Sequence, residues 1–145
     1  MKAIRPIAIC VFRHAGRILV FRSQSPDTDA DFFRPFGGGI EFGEAAEETI
    51  AREIEEELGE TILDPVLLGV LENRFEYNGQ PSHEHVFVFD AAFQNRELYG
   101  RGSIVGREDN GELLHGEWID PSQTGAPLYP DGLQELLIAS GRAPC

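Results

Sequence analysis

Basic residues, cysteines and long apolar runs are scarce in this chain, and each scarcity excludes something. Twelve Lys and Arg stand against 25 Asp and Glu, a formal charge of −13. Bulk electrostatics therefore argues against a nucleic-acid backbone or an anionic membrane as partner. Two cysteines, Cys10 in an apolar run and Cys145 at the far end, make no disulfide framework by count or spacing, which suits a reducing compartment. The apolar run Ile7 to Phe12 is too short for a signal-peptide core and is followed by Arg13. No stretch is long enough to span a bilayer, so the cytoplasm is the expected location. At 145 residues the chain can bury about two thirds of its unfolded surface, and one domain over 1–145 is expected.

The acidity is concentrated. Between Glu41 and Glu60 lie nine Glu and one Arg, so most of the net charge comes from one short segment. Within it, Gly38 to Gly59 reads GGIEFGEAAEETIAREIEEELG, a glycine-rich turn running into a helix expected over Glu44 to Leu58. Gly59 is placed to end that helix, and Glu44 and Glu47 suit the positive end of its dipole. At about 100° per residue, Glu57 and Glu56 fall at roughly +40° and −60° from Glu53, while Glu55, at roughly −160°, points away. Ile50, Ile54 and Leu58 form an apolar face bordering the carboxylates, so the stripe is held against a core. Three like charges on one stripe repel, and all-oxygen clusters suit hard divalent cations such as Mg²⁺ or Mn²⁺.

From Gly38, five residues lead to Glu44, seven more to Arg52, and Arg52-Glu53-Ile54-Glu55-Glu56-Glu57-Leu58-Gly59 follows. This resembles the Nudix box, Gx5Ex7REUxEExGU, over 38–60. The last position, usually aliphatic, is Glu60, and Ile62 could supply the missing anchor. The resemblance implies a metal-dependent hydrolase that converts NDP-X to NMP and P-X, with a (d)NTP or dinucleoside polyphosphate ahead of ADP-ribose. It implies Glu53, Glu56 and Glu57 as metal ligands with the Gly37 carbonyl, and Glu53 as candidate general base; Arg52, four residues before Glu56, is placed to hold that carboxylate, and Glu44, off the stripe, is expected to tie down the glycine-rich loop. A non-catalytic Nudix-like nucleotide-binding or scaffold module is the alternative, disfavoured because every acidic residue of the box is kept. The implied partner is a nucleotide-type small molecule, with the chain a monomer or homodimer.

No linker, repeat or low-complexity tract interrupts the rest. Ile7 to Phe12 and Arg17 to Arg22 read as strands joined at His14-Ala15-Gly16, and Ser23 to Phe33 as a polar loop. Val66 to Tyr77 and His85 to Phe93 read as long strands around Asn78-Gly79 and a polar linker. Tyr99 to Gly111 reads as a mobile loop, followed by a short strand near Trp118 and a second helix over Leu133 to Ala139. The order resembles the Nudix α/β/α sandwich with a mixed central sheet.

Several residues outside the box have two readings. Phe75, Tyr77 and Trp118 could stack a nucleobase or fill the core. Tyr77 is carried as substrate-binding, because some dinucleoside-polyphosphate-cleaving Nudix members have a Tyr at this distance beyond the box. Arg22 and Arg34 could contact phosphate or pair with nearby acids. A metal cluster seated on one helix gains from a carboxylate delivered by a facing loop, and Glu108, Asp109 and Glu112 are available. Glu112 is chosen because it stands six residues before Trp118, as a functional Glu does in MutT-like Nudix members. His83 and His85 share a strand face around Glu84, but ordinary strand histidines are commoner, and they are left off the metal set.

Overall fold

A computed structural model describes residues 2–123 and 125–140; the Cys145 part of the cysteine reading lies outside them. Among the described residues, nine strands and two α-helices form a mixed α/β fold, in the order β1 (Ile4–Val11), β2 (Arg13–His14), β3 (Arg17–Gln24), β4 (Asp31–Arg34), β5 (Phe36–Gly39), α1 (Ala46–Leu58), β6 (Ile62–Tyr77), β7 (Gln80–Phe93), β8 (Ser103–Arg107), β9 (Leu113–Ile119) and α2 (Leu133–Ala139). One sheet runs β5-β1-β7-β6 and is mixed, because β1 pairs parallel with β7 and antiparallel with β5. The other runs β2-β3-β9-β8, with β4 added on β3.

The central strands β1 and β7 of the first sheet are buried on both faces, and their residues alternate accordingly. Phe89 and Phe93 of β7, with Cys10 and Phe12, pack with Ile50 and Ile54 of α1. Val86 and Val88, with Ile7, Ile9 and Val11, pack with Leu133 and Leu137 of α2. Two cores thus share one sheet, and the face on which a β7 residue emerges decides what it can do.

Five expectations about strands and loops are corrected. The run expected as a hairpin crosses between sheets: β1 belongs to one, and only the short β2 pairs with β3 (Arg13 opposite Ile18). Part of the polar loop is strand, since β4 lies against β3 with Phe33 opposite Arg22. The glycine-rich turn is itself the edge strand β5, with Gly37 opposite Ile9. Gly37 has φ +156°, and a Cβ there would stand 2.1 Å from the Ala8 carbonyl oxygen, so glycine is what lets β5 lie this close to β1. Finally, the mobile loop contains β8, and the polar linker after Asn78-Gly79 is the start of β7. Both turn residues have positive φ, 53° and 72°, as a two-residue hairpin requires.

α1 begins at Ala46 rather than Glu44. The Glu44 side chain is occupied by Thr49 and Arg52, and its amide donates back to the Glu41 carbonyl, which places Glu44 in the turn ahead of the helix. Glu48 accepts from the Ala45 amide at 2.8 Å, and Gly59 closes the helix at φ +70° with its amide on the Glu55 carbonyl. The helix end packs on β8 at Gly106, where a Cβ would stand 2.7 Å from the Glu57 carbonyl oxygen. Gly106→Ala is expected to cost about 1–3 kcal/mol by overpacking, read as a lower urea midpoint; an unchanged midpoint would mean the helix and strand can part freely.

Candidate functional site

The arrangement of α1 against β5 gathers the acidic residues around one guanidinium. Arg52 donates to both Glu44 oxygens, from Nε at 2.7 Å and Nη2 at 3.0 Å. Its Nη1 donates to Glu53 at 2.9 Å and to Glu56 at 3.2 Å, and Nη2 also reaches the Gly39 carbonyl at 3.2 Å. The Arg52–Glu56 pair expected from their spacing is therefore the weaker part of a larger hub whose strongest contact is Glu44. That fork, with the Thr49 hydroxyl at 2.6 Å, holds the Glu44 carboxyl down at about 2. Glu44 also accepts from the Glu41 amide, and through Arg52 it is coupled to Gly39, so the β5–α1 turn is tied at both ends.

Glu53 and Glu57 are perturbed in the opposite direction. Burial raises the Glu53 carboxyl, against the hydrogen bond from Arg52. Burial also pushes Glu57 up to about 8, reinforced by the Glu53 charge and offset in part by Arg34. Arg34 is thus a second cation facing the stripe; its guanidinium lies 5.2 Å from the Tyr129 ring centroid and 5.5 Å from that of Phe21. The Oε1 atom of Glu57 is shielded from solvent and has no hydrogen-bond partner among the described residues.

A buried carboxylate oxygen without a partner, beside other carboxylates, is costly unless a cation satisfies it. The donor set is all oxygen, as Mg²⁺ or Mn²⁺ requires. The residues therefore fit the cation implied by the sequence. Arg52 competes with a cation for Glu53 and Glu56.

Beside this stripe opens a cleft of about 620 Å³. One end is lined by Gly38, Gly39, Arg34, Glu108 and Glu112; the other by Phe32, Phe75, Tyr77, Asn73, Glu84 and Tyr129. Glu108 and Asp109 act electrostatically on the stripe, raising Glu57 and Glu53 respectively. Glu112 lines the cleft and is exposed, its amide turned to Asn110.

Other sequence candidates lie elsewhere. Arg22 does not line the cleft; it pairs with Asp31 at 2.9 Å and covers the Phe33 ring at 4.6 Å. Trp118 packs with Tyr99 and His14 beside a separate cavity of about 340 Å³. Sequence reasoning missed the polar floor of the cleft. Glu84 and Asn73 are buried, the Tyr129 hydroxyl donates to Glu84, and Arg5 approaches Glu84 at 3.7 Å. The available signal was Glu84 in phase with Val86 and Val88, a charge on the apolar face of a strand.

A NUDIX domain family model matches residues 2–137. The fold is similar to a MutT NUDIX hydrolase from Burkholderia pseudomallei, 24% identical over 94% of this chain and 98% of that one, with a TM-score of 0.65. It is likewise similar to a NUDIX hydrolase from Nitrosomonas europaea (18% identity, 98% and 93% coverage, TM-score 0.66) and to a MutT protein from Bacillus halodurans (22%, 96% and 84%, TM-score 0.63). The fold and the site define a hydrolase of phosphorus-containing anhydrides. The chain belongs to the Nudix family.

The shifts set two pH windows for the cation-free protein. Glu44 is depressed, so its contribution is present above about 4.5 and lost as pH falls toward about 2. Glu57 is raised, so its contribution is present below about 4.5 and lost as pH rises through about 8. In EDTA, Tm is expected to fall between pH 5 and pH 8, and Glu57→Gln to flatten that fall; an equal slope in the variant would remove Glu57 as its cause.

Proposed function

We propose that this Nudix pyrophosphohydrolase cleaves a nucleoside di- or polyphosphate derivative with Mg²⁺ or Mn²⁺, and that its substrate is a (d)NTP or dinucleoside polyphosphate. The observation that carries this reading is the continuity of the cleft. Its acidic, glycine-walled end includes Gly38, which packs against the Glu53 carboxylate, and Arg34 and Glu108, which act electrostatically on Glu57, and its other end is aromatic with a polar floor. Phe75 and Phe32 lie edge-on or tilted to Tyr129, with centroids 6.0 and 6.1 Å away. A base enters between such rings, while Asn73 and Glu84 offer hydrogen-bonding atoms to its edge. A phosphate chain then extends toward β5 and α1.

When bound, the cation neutralises phosphoryl oxygens and lowers the pKa of a water. Glu53, Glu56 and Glu57 would hold it, with the Gly37 carbonyl, and Arg52 sets the orientation of Glu53 and Glu56. Glu53 is the proposed base: as water attacks phosphorus, its proton passes to a Glu53 oxygen while the P–O anhydride bond breaks and the leaving phosphate takes the electron pair. Arg34, between the stripe and Tyr129, faces the phosphate path. Glu112 is the proposed loop carboxylate that closes the site, and Tyr77 stands at the cleft's outer, aromatic end.

Glu57→Gln is expected to abolish nearly all turnover of a nucleotide panel and Glu55→Gln to spare it; full activity in excess EDTA or in Glu57→Gln would defeat the assignment. For Glu53→Gln the loss is expected to span several orders of magnitude in kcat, and a wild-type rate and pH profile would exclude Glu53 as base. Glu112→Ala should lower kcat at least about tenfold, roughly 1.4 kcal/mol in barrier. Unchanged kcat there, with a crippled Glu108→Ala, would move the closing role to Glu108.

A further inference from the structure

Alternation along β7 sends Ser82 and Glu84 into the cleft and His83 and His85 to the opposite face of the sheet. On the neighbouring edge strand β6, Glu72 stands directly across from His85. The ligand atoms of Glu72, His83 and His85 all lie within 4.8 Å of one another, and the His83 and His85 rings are 5.4 Å apart and nearly perpendicular. His85 Nε2 is 3.4 Å from Glu72 Oε2. Two donors each about 2.0–2.2 Å from a tetrahedral ion stand about 3.4 Å apart, so that pair already has the required separation. His83 Nε2 is shielded from solvent and has no hydrogen-bond partner among the described residues.

We infer that Glu72, His83 and His85 form a second metal site, on the sheet face opposite the cleft, for a borderline divalent transition ion such as Zn²⁺. Two imidazoles with one carboxylate are a donor set for Zn²⁺, Ni²⁺ or Cu²⁺, whereas Mg²⁺ takes oxygen ligands. Selectivity by donor type therefore separates it from the carboxylate stripe. Closing the remaining gap to His83 takes only side-chain rotation, because all three residues sit on two paired strands whose register is fixed. A fourth position stays open to water or to a further donor. The bound ion ties the edge strand β6 to β7, so its effect is on stability rather than on the phosphate chemistry. Arg74, across from His83, is the one cation paired in register with the trio and is exposed, free to swing away from the ion.

Zn²⁺ titration by calorimetry in millimolar Mg²⁺ tests this. Wild type is expected to bind one equivalent that survives Glu57→Gln and weakens at least tenfold in His83→Ala and His85→Ala, with His14→Ala unaffected. Imidazole ¹⁵N shifts on adding Zn²⁺ should move for His83 and His85 and stay fixed for His14 and His115, and Tm should rise in wild type, Glu57→Gln and His14→Ala but not in His83→Ala or His85→Ala. Zn²⁺ binding lost in Glu57→Gln but kept in His83→Ala, or no equivalent beyond the Mg²⁺ competition, would overturn the proposal. The Mg²⁺-supported hydrolysis of His83→Ala is expected at the wild-type level, so the two sites stand or fall separately.

Discussion

Arg52 sits where the helix, the glycine strand and the acidic turn meet, and its five donors are spread over Glu44, Glu53, Glu56 and the Gly39 carbonyl. The bidentate contact to Glu44 fixes the guanidinium, because both Glu44 oxygens are committed and Thr49 holds the carboxylate from behind. The remaining donors are then available to orient two carboxylates that would otherwise repel. A Lys here could supply the charge but not the planar fork. The acidic stripe is held together by Arg52 at its edge, with Arg34 as a second cation facing Glu57.

Position in the fold follows from close backbone approach. Gly37 lets β5 lie against β1, and Gly38 leaves room for the Glu53 carboxylate, whose atoms would be about 2.5 Å from any Cβ there. Gly106 brings β8 against the end of α1, which carries the loop with Glu108 and Asp109 toward the stripe. Three glycines on two strands thus set these close approaches, Gly37 between β5 and β1, and Gly38 and Gly106 against α1. The cleft is walled by Gly38 and Gly39 of β5, and the same central sheet supplies its floor through Asn73 and Glu84.

What the sequence made legible was local and periodic. The stripe of Glu53, Glu56 and Glu57, the exit at Gly59, the second helix and the Asn78-Gly79 turn all follow from spacing within a dozen residues, and all appear in the structure. Contacts between distant segments were not legible. A glycine run looks like a turn until a partner strand is known, and β5 is a strand only because β1 lies beside it. The polar composition of 23–33 and 99–111 concealed β4 and β8, whose apolar residues are few and whose order comes from pairing. Arg22 and Arg34 looked equivalent, yet only Arg34 lines the cleft, because they occupy different positions on the β3–β4 ladder. The floor at Glu84 and Tyr129 joins residues 45 apart in sequence, beyond the reach of any local pattern.

The central claim is that the buried, partnerless Glu57 oxygen and its neighbours hold a divalent cation. Counting Mn²⁺ bound to the nucleotide-free protein by electron paramagnetic resonance tests it most directly, with wild type, Glu57→Gln and Glu55→Gln compared at one pH. The account predicts stoichiometric binding in wild type and Glu55→Gln and a large loss of affinity in Glu57→Gln; equal Mn²⁺ binding by all three proteins would contradict it.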